Sequence, residues 1–292
     1  MIPRAELPVV DRVIFETSAV RVGAFRCPTS HPSFADSGPI RDHCFVFPRT
    51  PVVIQHKDRR PFAADPTLVT LYNRGQEYRR RSVSRDGDRC DWYAVSDDIL
   101  RDALTAVDPA AADDVRRPIR FPFTRMDAAT YWRQRQLFVR VCHDRDCDTL
   151  EVEESVCELL HRVLSAAYAV PDRSSRATLA PRAADDLARA AGELLGRRFA
   201  EPLTLVDIAA ALGTSVFHLC RAFKDATGTT LHEQRTQLRL RSALDRLEDS
   251  DCDLCALGLD LGFSSHSHFT ASFRRAFGTT PSTARHRVCA RS

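Results

Sequence analysis

The feature that most constrains this chain is an internal duplication in its last third. Leu205, Ile208, Ala209 and Leu212 fall at i, i+3, i+4 and i+7, so they share one helix face. Thr204 and Asp207 have capping-box spacing at the start of that helix, with Asp in place of the usual Glu. Gly213 then supplies a residue that tolerates a left-handed turn. A second helix follows, capped by Ser215, with Leu219, Ala222, Phe223 and Ala226 on its apolar face, and it stops at Gly228-Thr229-Thr230. Leu254, Leu257, Gly258, Leu261 and Gly262 repeat the first helix and its turn 49 residues later. Ser265, Phe269, Ser272, Phe273 and Ala276 repeat the second helix 50 residues later, and Gly278-Thr279-Thr280 closes the copy. The extra residue lies in the turn. Each copy reads as a short helix, a Gly-containing turn and a longer helix, the helix-turn-helix arrangement. A solenoid needs at least three repeats to bury a continuous core. Two copies joined by one long helix, about 231–247, fit a pair of modules.

The same spacing shows which side chains stay outside. Phe217, Cys220, Arg221 and Lys224 also fall at i, i+3, i+4 and i+7, on the side away from the apolar stripe. Their counterparts are Ser267, Thr270, Ala271 and Arg274, with Ser265, His266 and His268 near the N-terminal end and Arg275 beside them. In a recognition helix the N-terminal residues meet base edges in the major groove. Arg221 has the fork that grips guanine, Phe217 and Ala271 suit thymine methyls, and the imidazoles and hydroxyls suit base edges or phosphates. Lys224, Arg274, Arg275, Arg285 and Arg287 suit phosphate contacts, as do main-chain N–H groups at the helix starts by Thr204 and Asp253. A solvated helix face explains any one of these residues equally well. A repeat with matching core, turn and exposed stripe is harder to explain that way. His266 and His268 form an H-x-H, but i and i+2 point apart on a helix, and no third ligand is placed nearby.

Net charge gives little help. The chain carries +3, and residues 181–292 hold 15 Lys and Arg against 13 Asp and Glu. Basic residues are almost all arginine, since only Lys57 and Lys224 are lysines. The 292 residues are enough for about two domains, each with its own core. Apolar runs are too short for a membrane span and no signal-peptide core stands at the N-terminus, so the expected place is the cytoplasm. There, 10 cysteines imply free thiols rather than a disulfide framework. Eight are scattered (Cys27, Cys44, Cys90, Cys142, Cys147, Cys157, Cys220 and Cys289), and Cys252 with Cys255 forms a lone C-x-x-C at a helix start.

The first ~125 residues read as short strands between Pro, Gly and Asp clusters. Val9–Ala19, Phe45–Phe47, Val52–Gln55, Leu68–Tyr72 and Asp91–Val95 are the strand segments, and the prolines argue against long helices. An antiparallel β-barrel or sandwich follows. Ala128–Val141 and Leu150–Tyr168 then read as helices. In the second, Val152, Val156, Leu159, Val163 and Ala167 form a heptad-like stripe that packs on the β domain, pairs with a second chain, or both. Residues 170–182 lack any period and read as a linker. The expected organisation is α+β: a sensor domain over 1–169, the linker, and an all-helical domain over 183–292 with helix-turn-helix motifs at about 204–227 and 253–277.

The string Leu261-Gly262-Phe263-Ser264-Ser265-His266-Ser267-His268-Phe269-Thr270, continuing from Phe273 to Ser282, resembles the second helix-turn-helix signature of the AraC/XylS family of bacterial transcriptional regulators. Ile208-Ala209, Leu212–Ser215 and His218–Lys224 with Gly228 resemble the first. The likeness covers about 186–287. Gly258 stands where the family usually has Ala, at about 1 kcal/mol of helix propensity, and Ala284 replaces a usual aromatic. More weakly, Phe45–Arg49, Pro61–Pro66 and Tyr72–Gln76 are similar to the cupin-like sensing domains found ahead of such modules. The resemblance implies a ligand-responsive regulator, more often an activator. Its partners would be double-stranded DNA, RNA polymerase and a small effector, with a homodimer through 150–168. No cofactor or metal is implied, because the enzymatic cupin pattern needs H-x-H with a nearby Glu, whereas His31, His43 and His56 stand alone. Two alternatives remain: a metal-dependent cupin-type enzyme with an accessory DNA-binding tail, and a cysteine-based redox or alkylation sensor using Cys27 or Cys220.

Overall fold

The computed structural model describes residues 10–57, 59–144, 147–169, 182–248 and 252–289. These divide into two compact units, one up to residue 171 and one beyond it. The expected linker lies outside the described residues except at Arg182.

In the first unit the strands are β1 (Val10–Glu16), β2 (Val20–Cys27), β3 (Asp36–Ser37), β4 (Cys44–Pro48), β5 (Val52–His56), β6 (Phe62–Ala64), β7 (Leu68–Tyr72), β8 (Tyr78–Ser82), β9 (Asp88–Val95) and β10 (Phe123–Arg125). They form a six-stranded sheet, β1-β2-β9-β4-β7-β10, and a four-stranded sheet, β3-β8-β5-β6, with antiparallel neighbours throughout. No described strand pairs with both sheets, so the expected barrel is not closed. At the β3 edge, proline contributes. Pro28, Pro32 and Pro39 cannot donate to a ladder, and they leave only the two residues of β3 to pair between β2 and β4. Side chains bridge where strands do not: Arg80 of β8 bonds Asp88 of β9 at 2.5 Å, both buried.

Both β4 and β7 are buried along their whole length, so neither shows the alternation of a half-exposed strand. Helices α1 (Asp97–Thr105), α2 (Pro109–Ala112), α3 (Ala128–His143) and α4 (Thr149–Ala169) complete the unit. On the face toward α3, Phe45 stacks on Tyr93 at 5.3 Å and Phe47 meets Tyr131 edge-on at 6.4 Å. Gln134 of α3 donates to Asp91 at 2.7 Å, and Arg135 pairs with the same carboxylate. On the opposite face Cys44, Val46 and Tyr72 share a core with Val52, Ile54 and Phe62 of the smaller sheet.

The sequence pattern marks none of β2, β3, β6, β8, β10, α1 and α2. Its single segment Val9–Ala19 ends early, because Thr17 accepts from the Ala19 and Val20 N–H groups at 3.1 Å and turns the chain. β8 carries three consecutive arginines and no apolar alternation; its pairing with β5 makes it a strand. The α4 stripe (Val152, Val156, Leu159, Val163 and Ala167) is buried within its own unit, where α4 packs on α1, α3 and β10. Any second chain would therefore meet another side of α4, the one bearing Glu151, Glu154 and His161.

The second unit is wholly helical: α5 (Arg182–Arg198), α6 (Leu205–Ala211), α7 (Val216–Thr227), α8 (Leu231–Arg246), α9 (Leu254–Asp260), α10 (His266–Phe277) and α11 (Pro281–Cys289). Helices α6 and α7 form the first helix-turn-helix, and α9 and α10 the second. Ile208, Ala209, Leu219 and Phe223 pack with Ala191 and Leu195 of α5 and Leu238 of α8. The second copy uses an aromatic row: Phe263, Phe269, Phe273 and Phe277 follow one another at 5.3, 5.8 and 4.7 Å. Gly258 gains an explanation here. A Cβ on it would lie 3.0 Å from the Phe269 Cβ, so the glycine lets α9 approach α10 closely and its propensity cost is only part of the balance.

Candidate nucleic-acid interface

Caps fix where the second helix of each module begins. Ser215 accepts from the His218 N–H at 3.2 Å, and Ser265 accepts from the His268 N–H at 3.1 Å. Gly228 and Gly278, at φ +77° and +71°, end the helices in the left-handed conformation. Between these limits Leu219, Ala222 and Phe223 of α7, and Phe269, Ser272 and Phe273 of α10, are buried. Helical geometry then fixes the opposite side.

On α7, Phe217 is 77% exposed, a large apolar side chain held in water. Arg221 and Lys224 are exposed and Cys220 is half-buried. Arg221 lies 3.6 Å from Asp225 on the next turn, an exposed pair that leaves the guanidinium available at small cost. On α10, His266, Ser267, His268, Ala271, Arg274 and Arg275 are exposed, and Thr270 is half-buried. Thr270 lies 3.4 Å from the His266 ring, and Ser264 lies 3.0 Å from the His268 ring, which also sets its edge to Phe263 at 5.5 Å. These contacts hold both imidazoles against their own helix. His266, Ser267, Thr270, Ala271, Arg274 and Arg275 line one concave surface, joined by Thr280, which the sequence reading had not included. Lys224, Arg274 and Arg275 form no ion pair among the described residues.

Eleven of the twelve sequence-predicted positions thus lie on α7 and α10, Ser265 stands at the N-cap of α10, and none is deeply buried. Several differ in detail from expectation. Ser265 is first of all a cap. Arg285 donates to the Cys252 carbonyl at 2.9 Å, so it ties α11 to the start of α9 instead of reaching outward. At the start of α6, Asp207 accepts from the Thr204 N–H at 2.8 Å and Thr204 from the Asp207 N–H at 3.1 Å. The Thr204 hydroxyl also donates to the Asp207 carboxylate at 2.6 Å, and this bond, with the Thr204 N–H, holds that carboxyl below its usual range, so a phosphate there meets an anion. Asp253 likewise takes the Cys255 N–H at 2.9 Å. Asp225 was also overlooked, although its place four residues after Arg221 was a legible signal.

The sensor candidates fare differently. Cys27 is buried, burial pushes its thiol up, and its Sγ lies 3.8 Å from the Pro28 carbonyl, whereas a reactive thiol needs exposure and a lowered pKa. His43 and His56 are buried, and among the described residues no group of three or more His, Cys, Asp or Glu gathers as a metal would require. No single described helix is long and apolar enough to cross a membrane.

Comparison with known proteins locates the same region. A helix-turn-helix domain family matches residues 208–287. The probable transcription factor PqrA of Proteus vulgaris is 40% identical over 81 residues, which are 28% of this chain and 66% of that protein. The regulatory protein SoxS of Salmonella typhimurium is 34% identical over 96 residues, 33% of this chain and 90% of SoxS. A solved transcriptional regulator with an AraC-type DNA-binding domain, from Chromobacterium violaceum, is 32% identical with a TM-score of 0.34, covering 37% of this chain and 96% of that one. With two capped recognition helices on a duplicated frame and nearly the whole of SoxS matched, the chain belongs to the AraC/XylS family of transcriptional regulators.

Proposed function

We propose that this protein is a ligand-responsive transcriptional activator that sets α7 and α10 into adjacent major grooves of double-stranded DNA. One observation carries the reading: two equally capped helices on a repeated core turn their outward faces, bearing arginine, lysine, imidazole and hydroxyl groups, to solvent. Phe217, Cys220, Arg221, His266, Ser267, His268, Thr270 and Ala271 read base edges, while Lys224, Arg274 and Arg275 hold phosphates. RNA polymerase is the downstream partner, the cytoplasm is the place of action, and a second copy pairs through the exposed side of 150–168.

The β unit is the effector domain in this reading. His56 supports it: the residue is 3% exposed between the sheets, and its Nε2 has no hydrogen-bond partner among the described residues. Phe62, Tyr72 and Tyr78 surround it, with ring centroids 5.7, 5.0 and 6.4 Å away. Burial pushes its pKa down to about 4, so the ring is neutral and offers an acceptor. An uncharged effector with one hydroxyl or N–H donor suits such a place. Occupancy would shift the balance between conformations of the full chain.

Selection of bound duplexes from a random pool, followed by gel shifts across a salt series, tests the DNA reading. A preferred sequence whose affinity falls as salt rises is expected, because phosphate contacts release counterions. Equal affinity for all sequences, independent of salt, would overturn it.

A further inference from the structure

Arg239 lies on α8, the helix that joins the two modules, and its guanidinium is used in three directions at once. Nε donates to the Phe199 carbonyl at 2.7 Å and Nη2 to the Glu201 carbonyl at 3.2 Å, both in the segment leading into the first module. Nη1 donates to the Gly262 carbonyl at 2.7 Å, in the turn of the second module. Arg239 is 9% exposed, and its guanidinium carbon lies 5.8 Å from the Phe263 ring.

The three acceptors sit just beyond the C-terminal ends of α5 and α9, where helix dipoles place negative charge. Burial lowers the Arg239 pKa to about 10, and nearby Arg235 acts in the same direction, so the group remains a cation at neutral pH. The backbones it joins are already in contact, since a Cβ on Gly262 would lie 2.2 Å from the Ala200 carbonyl oxygen and 2.6 Å from Arg239 Nη2. One turn earlier on α8, Arg235 donates to the Leu203 carbonyl at 2.6 Å, adding a second tie to the first module only. A planar fork with donors in fixed directions holds three carbonyls in one geometry, which a flexible ammonium does not.

We propose that Arg239 is a positioning residue that fixes the rotation of the second helix-turn-helix against the first, and so sets the base-pair spacing between the two half-sites that the protein accepts. The proposal rests on the DNA-reading function above. Each base pair turns the duplex by roughly 34°, so a rigid junction rejects a half-site moved by one pair, and a loosened one tolerates it.

The test uses the full chain and the duplex it selects from a random pool. Derivatives carry one base pair added or removed between the segments protected by α7 and α10. The parent is expected to lose at least about tenfold in affinity for either change. Arg239→Met is expected to bind the original duplex more weakly and to discriminate among spacings by less than about threefold. Arg239→Lys, which reaches only some of the carbonyls, is expected to fall between, and it carries the test alone if the Met variant does not fold. A uniform loss at every spacing, with the parent's spacing profile retained in the folded variants, would sink the proposal, because a merely stabilising residue would behave so. If the parent selects no sequence at all, the DNA-reading function fails first, and the spacing role with it.

Discussion

Gly213 and Gly262 hold the same place in the two modules, with φ of +62° and +84°. Around Gly213 a Cβ would meet nothing within 4 Å, whereas around Gly262 it would collide with Ala200 and Arg239. The same difference runs through both copies. The first has an aliphatic and aromatic core, Leu219 with Phe223, and a recognition helix whose Arg221 faces Asp225. The second has an aromatic row, and at the position matching Asp225 it carries Arg275. Duplication preserved the frame and let the contents diverge. The second copy became the one packed into its surroundings and the more cationic on its outward face.

The largest effect should come from the cores. Phe269→Ala removes the ring that touches Phe263, Phe273 and Gly258 and should cost about 3–5 kcal/mol, against about 2–5 for the matching Leu219→Ala. Chemical denaturation followed by helical signal measures both, and a smaller loss at Phe269 would reverse the ranking of the two cores. Next come the turns. Gly213→Ala meets only left-handed strain, about 1–2 kcal/mol. Gly262→Ala adds overpacking and should reach about 2–5 kcal/mol. Equal midpoints for the two variants would show that the crowding at Gly262 relaxes without cost.

The outward faces supply the third test. Arg221→Ala should relax specificity at one base position by about 1–3 kcal/mol, while Arg274→Ala should weaken binding to all sequences alike and reduce the salt slope by about 1. Gel shifts against single-base variants of the selected duplex separate the two patterns, and swapped behaviour would exchange the roles assigned to these residues. The smallest effect is expected from Asp225→Ala, which removes an exposed pair and one repulsion toward phosphate. Affinity should rise by a few-fold at low salt and the gain should shrink as salt rises. An unchanged affinity would mean that the acidic residue of the first copy stands clear of the duplex.

How much of this was legible beforehand depended on the physics of each part. Local signals decide helix ends, so Thr204 with Asp207 and Ser215 were readable as caps, and the observed bonds follow them. The outward stripes were readable because a helix fixes angle by spacing alone. The β unit was harder. β8 is a strand only because β5 lies beside it, and its arginines concealed it. The stripe on α4 could equally serve a partner or its own core, and only packing on α1, α3 and β10 decided between them.

Sequence alone therefore determined the two modules, the centres of their buried faces and the outward stripes, because each depends on neighbours three or four residues away; Leu205, placed on the first apolar face, is instead 43% exposed at the start of α6. Tertiary structure decided that the sheets stay open, that Arg80 turns inward to Asp88, that Arg285 is tied to Cys252 and that Arg239 joins both modules. Those are contacts between residues distant along the chain. Nothing in local spacing distinguishes an arginine that will meet three carbonyls inside the protein from one that will meet water.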